Sequence, residues 1–184
     1  IWSDGRAGIK KMIAAAEAAG LKEVGISDHF VVTPDRRIVD WSMPSEKLEK
    51  YVSEVLEIRK SFSIAVRLGL EVDFFPETVD VVAKRLKEFP FDYLIGSVHF
   101  IDEFPIDEKA EHWQNLDDGK RNEIWRSYWG RIKEMAESAV FDIVGHLDLP
   151  KKFGFRTTIP LTKEISAALE SIARSRMTVE INTS

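Results

Sequence analysis

Apolar residues recur along this chain with two alternating spacings, one typical of helices and the other of buried strands. Stretches with apolar side chains every three or four residues predict helices at 5–19, 45–58, 76–90, 120–138 and 160–175. Short apolar runs between them predict strands at 24–27, 64–70, 91–98, 140–144 and 177–181. Because a helix separates each strand from the next, the pattern predicts an α/β fold with a mainly parallel sheet.

Single residues mark the expected ends of three of these helices. Gly20 is a natural stop for the first helix, because glycine readily takes the left-handed conformation beyond a helix C-terminus. Asp4 is most simply the N-cap of that helix, and Ser45 is predicted to cap the second. Pro76 suits the first turn of the third helix.

The predicted order of elements begins with a helix and stops on a strand. A closed barrel would need at least one strand before Ile1 and another unit after Ser184, so we expect both in the complete protein. If the sheet closes into a barrel, we expect residues 1–184 to form a single barrel domain that lacks its first strand and its last unit. The longest irregular segments all follow strands, and we expect them to wall a pocket. They cover 30–44, 100–119 and 147–159.

Composition narrows the classes of function. The chain has 184 residues, enough for one domain with a sizeable core, and no apolar run reaches the length of a membrane span. A net charge of −5 argues against a large nucleic-acid footprint. The absence of cysteine excludes disulfides and thiolate ligands, and it is compatible with the cytoplasmic location that we expect. Nitrogen and oxygen ligands would therefore hold any metal, which suits zinc, manganese or iron.

Three of the four histidines follow a strand-like apolar run directly. They are His29, His99 and His146, and Glu71 ends a fourth run. In an α/β barrel the carboxyl ends of the strands converge on one mouth, so residues far apart in sequence become neighbours there. Three imidazoles and a carboxylate at such a mouth predict a metal centre. His112 lies in a polar, irregular stretch, and we expect it at the surface, away from this centre.

Each of these residues also has an ordinary alternative role as one half of a local polar pair. The candidate pairs are His29 with Asp28, Glu71 with Arg67, and His146 with Asp148. His99 has the weakest alternative, because its local sequence offers no polar partner. The position shared by all four residues favours the metal centre over four separate pairs. Asp148 has one further interpretation, as the acceptor that orients the His146 ring.

Two basic residues follow His146 closely. Lys151 and Lys152 are usually interpreted as a solvated pair, but at the same mouth they are the obvious cations for a phosphate group. Both interpretations remain open at the level of the sequence.

Several short strings together resemble the polymerase and histidinol phosphatase (PHP) superfamily, and their order and spacing are most similar to its histidinol-phosphatase branch. The strings are Ser-Asp-Gly at 3–5, Ser-Asp-His-Phe at 27–30, Gly-Leu-Glu-Val-Asp at 69–73, Ser-Val-His-Phe at 97–100, Val-Gly-His-Leu-Asp at 144–148 and Glu-Ile-Asn-Thr-Ser at 180–184. The resemblance covers nearly the whole chain. Each string alone is weak, whereas the combination is specific.

The resemblance implies a distorted seven-stranded (β/α) barrel with two or three divalent metal ions at the strand ends. It implies a further ligand at Asp4, beside the histidines and Glu71 already described. Lys151 falls where the histidinol-phosphatase branch often has an arginine that faces the substrate phosphate. The opening His-x-His pair of the family is expected before Ile1, and its closing Asp-x-His is expected after Ser184.

The function implied is metal-dependent hydrolysis of a small phosphomonoester by metal-activated hydroxide, as in a histidinol phosphatase. The general acid is not assigned, since Asp28 and Asp148 are only neighbours of expected ligands. One alternative is a nucleotide phosphodiesterase or exonuclease on the same barrel, which would need a basic, aromatic-lined groove. Another is a degenerate barrel that binds metal without turnover. The sequence does not indicate the substrate, the metal or the oligomeric state.

Overall fold

Parallel strands that alternate with helices make up the first unit of the chain, Ile1–Ile95. In the computed structural model, which describes residues 2–182, this unit contains α1 (Ile9–Ala18), β1 (Glu23–Phe30), α2 (Leu48–Ile58), β2 (Ala65–Asp73) and α3 (Val79–Leu86), and then the start of β3 (Tyr93–Ser97). Strand β1 pairs with β2 in parallel over its whole length. Strand β3 begins beside β2, because the Asp92 amide donates to the Leu68 carbonyl at 2.8 Å.

The core of the first unit lies between α2 and the strands. The helix buries one apolar face made of Leu48, Tyr51, Val52, Val55 and Ile58. The Tyr51 hydroxyl donates to the Gly69 carbonyl at 2.7 Å and lies 3.0 Å from the Ile26 carbonyl. Burial raises the pKa of this hydroxyl above its ordinary value, so it remains a donor. A polar contact thus fixes the helix against both strands.

Glycine is required where Tyr93 crosses the first two strands. A Cβ atom placed at Gly25 or at Gly69 would overlap the Tyr93 ring and hydroxyl. The two glycines therefore leave the space that this half-buried ring occupies.

The second unit, Gly96–Ser184, repeats the alternation with shorter strands. Its elements are β4 (Phe100–Ile101), β5 (Phe104–Pro105), α4 (Ala110–Gln114), α5 (Asp118–Glu137), β6 (Ile143–Val144), α6 (Thr162–Arg174) and β7 (Thr178–Val179). Strand β6 pairs with β7 in parallel, and the Gly145 amide donates to the Gly96 carbonyl beside the end of β3. Asp117 caps α5 by accepting from the Lys120 amide at 2.7 Å.

The predicted α/β fold with parallel strands is confirmed, and all five predicted strands are present. Strands β1 and β2 are longer than predicted. His29 and Glu71 therefore lie within the last residues of these strands and not beyond their ends. Closure into a barrel and the single-domain arrangement of residues 1–184 stay predictions. Ile1 and the last two residues of the 180–184 string lie outside the described residues.

Two predicted helix caps are wrong. Helix α1 begins at Ile9 after an extended Gly8, four residues later than the cap at Asp4 requires. Ser45 is instead the first residue of a 3-10 turn, and the extended Pro44 stands at the N-cap position. Asp4 is therefore available for another role.

The segment 100–119 is not irregular as predicted. It contains the antiparallel hairpin of β4 and β5 and the short helix α4. Asp102 turns the hairpin with a φ of 51°, a left-handed conformation that aspartate tolerates better than most residues. Two-residue strands and a five-residue helix are too short to show a period in the sequence.

Within residues 2–182, no helix combines the length and the apolar character needed to cross a membrane.

Candidate metal centre

His29 and Glu71 are paired in the parallel register of β1 and β2. The His29 Nδ1 atom lies 3.6 Å from Glu71 Oε2, and the side chains are 22% and 17% exposed. Arg67, the other candidate partner of Glu71, pairs with Glu23 and Asp92 near the start of β2. The carboxyl ends of two adjacent strands thus place one imidazole beside one carboxylate.

Asp4 approaches the same imidazole from the segment before α1. Its Oδ1 atom lies 4.0 Å from His29 Nε2, and its side chain is 63% exposed. The preceding residue holds this segment in place, because the Ser3 amide and hydroxyl both donate to Asp28 Oδ1, at 3.0 and 2.6 Å. The His29 amide in turn lies 3.3 Å from Ser3 Oγ. Asp28 therefore tethers the Asp4 segment to β1.

The loop after β1 returns to His29 and holds its backbone. The Met43 amide donates to the His29 carbonyl at 2.9 Å. The buried hydroxyl of Ser42 accepts from the Val31 amide at 2.8 Å. Trp41 packs edge-on against the His29 ring, with centroids 5.0 Å apart. The loop after β1 therefore contacts both the backbone and the ring of His29.

The second unit brings two further imidazoles together. His99 follows β3, is 4% exposed, and its Nε2 atom lies 3.1 Å from Nε2 of His146. An ion held by two imidazoles at about 2.0–2.1 Å in tetrahedral geometry separates the two nitrogens by about 3.3 Å. The observed separation of 3.1 Å is close to this value, and the donors are nitrogen atoms, as zinc, manganese and iron accept.

Two side chains that the sequence analysis did not propose as functional bind the backbone amide and carbonyl of His146. Glu180 Oε2 accepts from the His146 amide at 2.7 Å, and the Tyr128 hydroxyl donates to the His146 carbonyl at 2.9 Å. Glu180 does stand in the string at 180–184, and this was its only sequence signal. Asp148, the other candidate partner of His146, lies 3.3 Å from Lys151 Nζ.

The loop after His146 is anchored to α5. The buried side chain of Asn122 accepts from the Thr157 hydroxyl at 2.8 Å and from the Thr158 amide at 2.9 Å, and it donates to the Thr158 hydroxyl. Trp125 Nε1 also donates to the Phe155 carbonyl at 3.2 Å. Helix α5 thus fixes the segment that carries the two predicted phosphate-binding lysines.

Both of these lysines are exposed and paired with carboxylates. Lys151 Nζ lies 3.3 Å from Asp148 Oδ2, and Lys152 Nζ lies 3.1 Å from Asp107 Oδ2. His112 was expected at the surface, but it is half-buried in α4 and packs edge-on against Phe104. This difference follows from α4, which the sequence did not predict.

The chain has curated relatives along most of its length. It is 36% identical over 173 residues to a protein of Deinococcus radiodurans named "Probable histidinol-phosphatase". The aligned residues cover 92% of this chain and 64% of that protein. It is 24% identical over 187 residues to the histidinol-phosphatase of Lactococcus lactis, covering 95% of this chain and 65% of that protein. The chain thus spans less than two thirds of the length of these relatives.

Two solved structures share the fold. A Listeria monocytogenes protein, provisionally described as a histidinol phosphatase, matches 98% of this chain and 78% of its own with a TM-score of 0.82 at 18% identity. A Lactococcus lactis histidinol phosphate phosphatase, crystallised with zinc, L-histidinol and phosphate, matches 94% of this chain and 64% of its own, with a TM-score of 0.72 at 22% identity. The model of the PHP domain family matches residues 2–184, and the chain therefore belongs to the PHP domain family.

Proposed function

We propose that this protein is a metal-dependent phosphomonoesterase whose substrate is a small phosphorylated alcohol of the histidinol phosphate type. The observation that carries the proposal is the pair of imidazoles at His99 and His146, whose Nε2 atoms are 3.1 Å apart. The names of the curated relatives support the phosphatase activity, and the zinc, L-histidinol and phosphate of the Lactococcus lactis structure support the type of substrate.

The proposed metal ligands are His29, Glu71, Asp4, His99 and His146. A distorted seven-stranded barrel would bring these strand ends to one mouth, as parallel barrel strands do. Two or three divalent ions, of zinc, manganese or iron, suit this set of nitrogen and oxygen donors. When bound, such ions lower the pKa of a water molecule and neutralise charge on the phosphoryl oxygens.

The residues of the chain have separate tasks in this proposal. The histidines bind as neutral imidazoles, and Asp4 and Glu71 offset the positive charge of the ions. One of the two lysines, Lys151 or Lys152, binds the phosphate oxygens and releases the carboxylate that it contacts in the structure, while the other faces solvent. This exchange needs only rotation of exposed, flexible side chains.

The substrate is proposed to be a small soluble molecule. A net charge of −5 does not favour a nucleic acid, and the proposed location is the cytoplasm. The alternative nucleotide phosphodiesterase would cleave a diester, so a comparison of substrates separates the two activities.

The test begins with protein that has been stripped of metal by a chelator. Zinc, manganese or iron is then added, and phosphate release is measured from histidinol phosphate and from an aryl phosphomonoester, alongside cleavage of a bis-aryl phosphodiester. We expect hydrolysis of the monoesters that depends on added metal, and little cleavage of the diester. Preferred cleavage of the diester would favour the nuclease alternative, and binding of metal without hydrolysis would favour the non-catalytic barrel.

Matched variants connect the activity to the ligands. His146→Ala is expected to lower bound metal, measured by elemental analysis, together with the turnover. His112→Ala serves as the control, since this histidine packs in α4 against Phe104. Equal losses in the two variants would contradict the proposed ligand set.

A further inference from the structure

The His146 backbone leaves the sheet at the end of β6. The ladder between β6 and β7 includes bonds from the Thr178 amide to the Asp142 carbonyl and from the Glu180 amide to the Val144 carbonyl, both at 2.9 Å. In a continued parallel ladder, the next bond would run from the His146 amide to the Glu180 carbonyl. The Glu180 side chain accepts that bond instead, through Oε2 at 2.7 Å. The carboxylate thus replaces a strand and lets the chain turn away after Val144.

The other side of the same peptide segment is held from α5. The Tyr128 hydroxyl donates to the His146 carbonyl at 2.9 Å, and Tyr128 is fully buried. His146 is therefore fixed at its amide and at its carbonyl by side chains of two different elements.

We infer that Glu180 is a positioning residue that sets the His146 imidazole against His99, with Tyr128 as the opposing support. A histidine that followed a continued strand would keep the direction that the pleat dictates. Here, the side-chain bond replaces the ladder, and the two Nε2 atoms lie 3.1 Å apart. This inference rests on the proposed function only in treating His146 as a metal ligand.

The bond to Glu180 has the properties that positioning needs. A carboxylate accepting from a backbone amide makes a short, charge-assisted hydrogen bond, and 2.7 Å lies in that range. Its geometry depends on the length of the side chain, because Glu180 reaches His146 from the neighbouring strand. Glutamine keeps this length and an accepting oxygen, aspartate keeps the charge but is one methylene shorter, and alanine removes the bond.

The first measurement uses metal-free protein and needs no activity. Long-range proton–nitrogen NMR spectra report the ring nitrogens of each histidine. In Glu180→Ala and Glu180→Asp, we expect the signals of His146 and His99 to shift, and those of His112 to stay. Glu180→Gln is expected to resemble the unsubstituted protein, because the bond is retained.

The second measurement is metal affinity, obtained by competition with a chelator. Loss of a group that orients a ligand costs about ten- to a hundredfold in affinity, and we expect this loss in Glu180→Ala and Glu180→Asp. Glu180→Gln should keep the affinity of the unsubstituted protein, because the accepting oxygen is retained. Glu170→Ala is the matched control, since this glutamate is exposed on α6 and pairs only with Arg174 among the contacts described.

The outcomes separate a positioning role of Glu180 from a purely electrostatic role and from the proposed function. Equal losses in Glu180→Gln and Glu180→Ala would show that the charge matters and not the bond, which overturns positioning. Unchanged ring signals and affinity in Glu180→Asp would overturn it as well, even where Glu180→Ala fails to fold. A protein that passes both measurements and yet hydrolyses no phosphomonoester contradicts the proposed function alone.

Discussion

The imidazole of His29 meets the carboxylate of Glu71 across two neighbouring parallel strands, with Nδ1 3.6 Å from Oε2. The two residues are 42 positions apart in the numbering and yet share one register position, because a single helix returns the chain to the start of β2. This arrangement places an imidazole nitrogen beside a carboxylate oxygen at the carboxyl ends of the two strands.

Glu71→Gln should weaken metal binding while leaving the fold intact. The amide has nearly the same shape as the carboxylate, but it lacks the negative charge that offsets a divalent cation. We expect at least a tenfold loss of affinity, the lower bound for changes that disturb a ligand set. Chelator competition measures it, and Glu77→Gln is the control, because Glu77 is exposed in the same unit. Equal affinities in the two variants would contradict a role of Glu71 as ligand.

Gly69→Ala should destabilise the first unit. The added methyl group would overlap the Tyr93 ring, and forcing extra volume into a packed site costs about 1–3 kcal/mol of the free energy of unfolding. Denaturant unfolding followed by circular dichroism measures the change. Gly8→Ala is the control, because a Cβ atom there meets nothing within 4 Å. A free energy of unfolding that is unchanged in Gly69→Ala would mean that Tyr93 moves aside at no cost.

Asn122→Ala should release the loop after His146 from α5. The substitution removes the bonds to the half-buried Thr157 and the exposed Thr158, and each hydrogen bond contributes about 0.5–1.5 kcal/mol to the free energy of unfolding. We expect faster hydrogen exchange of the Thr158 amide and a lower melting temperature. Asn115→Ala is the control, since Asn115 is exposed and donates only to the Glu111 carbonyl among the contacts described. Unchanged exchange at Thr158 would show that Trp125 alone holds the loop.

Lys151→Ala and Lys152→Ala test the predicted recognition of phosphate. A charge-assisted hydrogen bond contributes about 1.5–3 kcal/mol, so removal of the lysine that binds phosphate should lower kcat/KM by about ten- to a hundredfold. Metal content should stay constant, because neither lysine is a proposed ligand. The exposed Lys163 on α6 provides the control substitution. Unchanged kinetics in both single variants and in the double variant would end the phosphate-binding hypothesis.

The strand-end position of His29, His99 and His146 was readable from the sequence, and so was the alternation of helices and strands. Both depend on the local spacing of apolar residues. A run of apolar residues that ends on a polar residue is recognisable in the sequence without any tertiary information. Asp4 shows the limit of such reasoning. A polar residue before a helical stripe predicts a cap, but the helix starts at Ile9, and the Ser3–Asp28 contact turns Asp4 toward His29.

The sequence by itself determined the class of fold, the family and the residues that belong at the strand ends, because periodicity and short motifs are local properties of the chain. Only the tertiary structure decided how those residues are held. The bond from the His146 amide to Glu180 spans 34 positions, and the contact of Ser3 with Asp28 spans 25. Such bonds depend on where two distant segments meet in space, and a contact between distant segments leaves no period in the sequence.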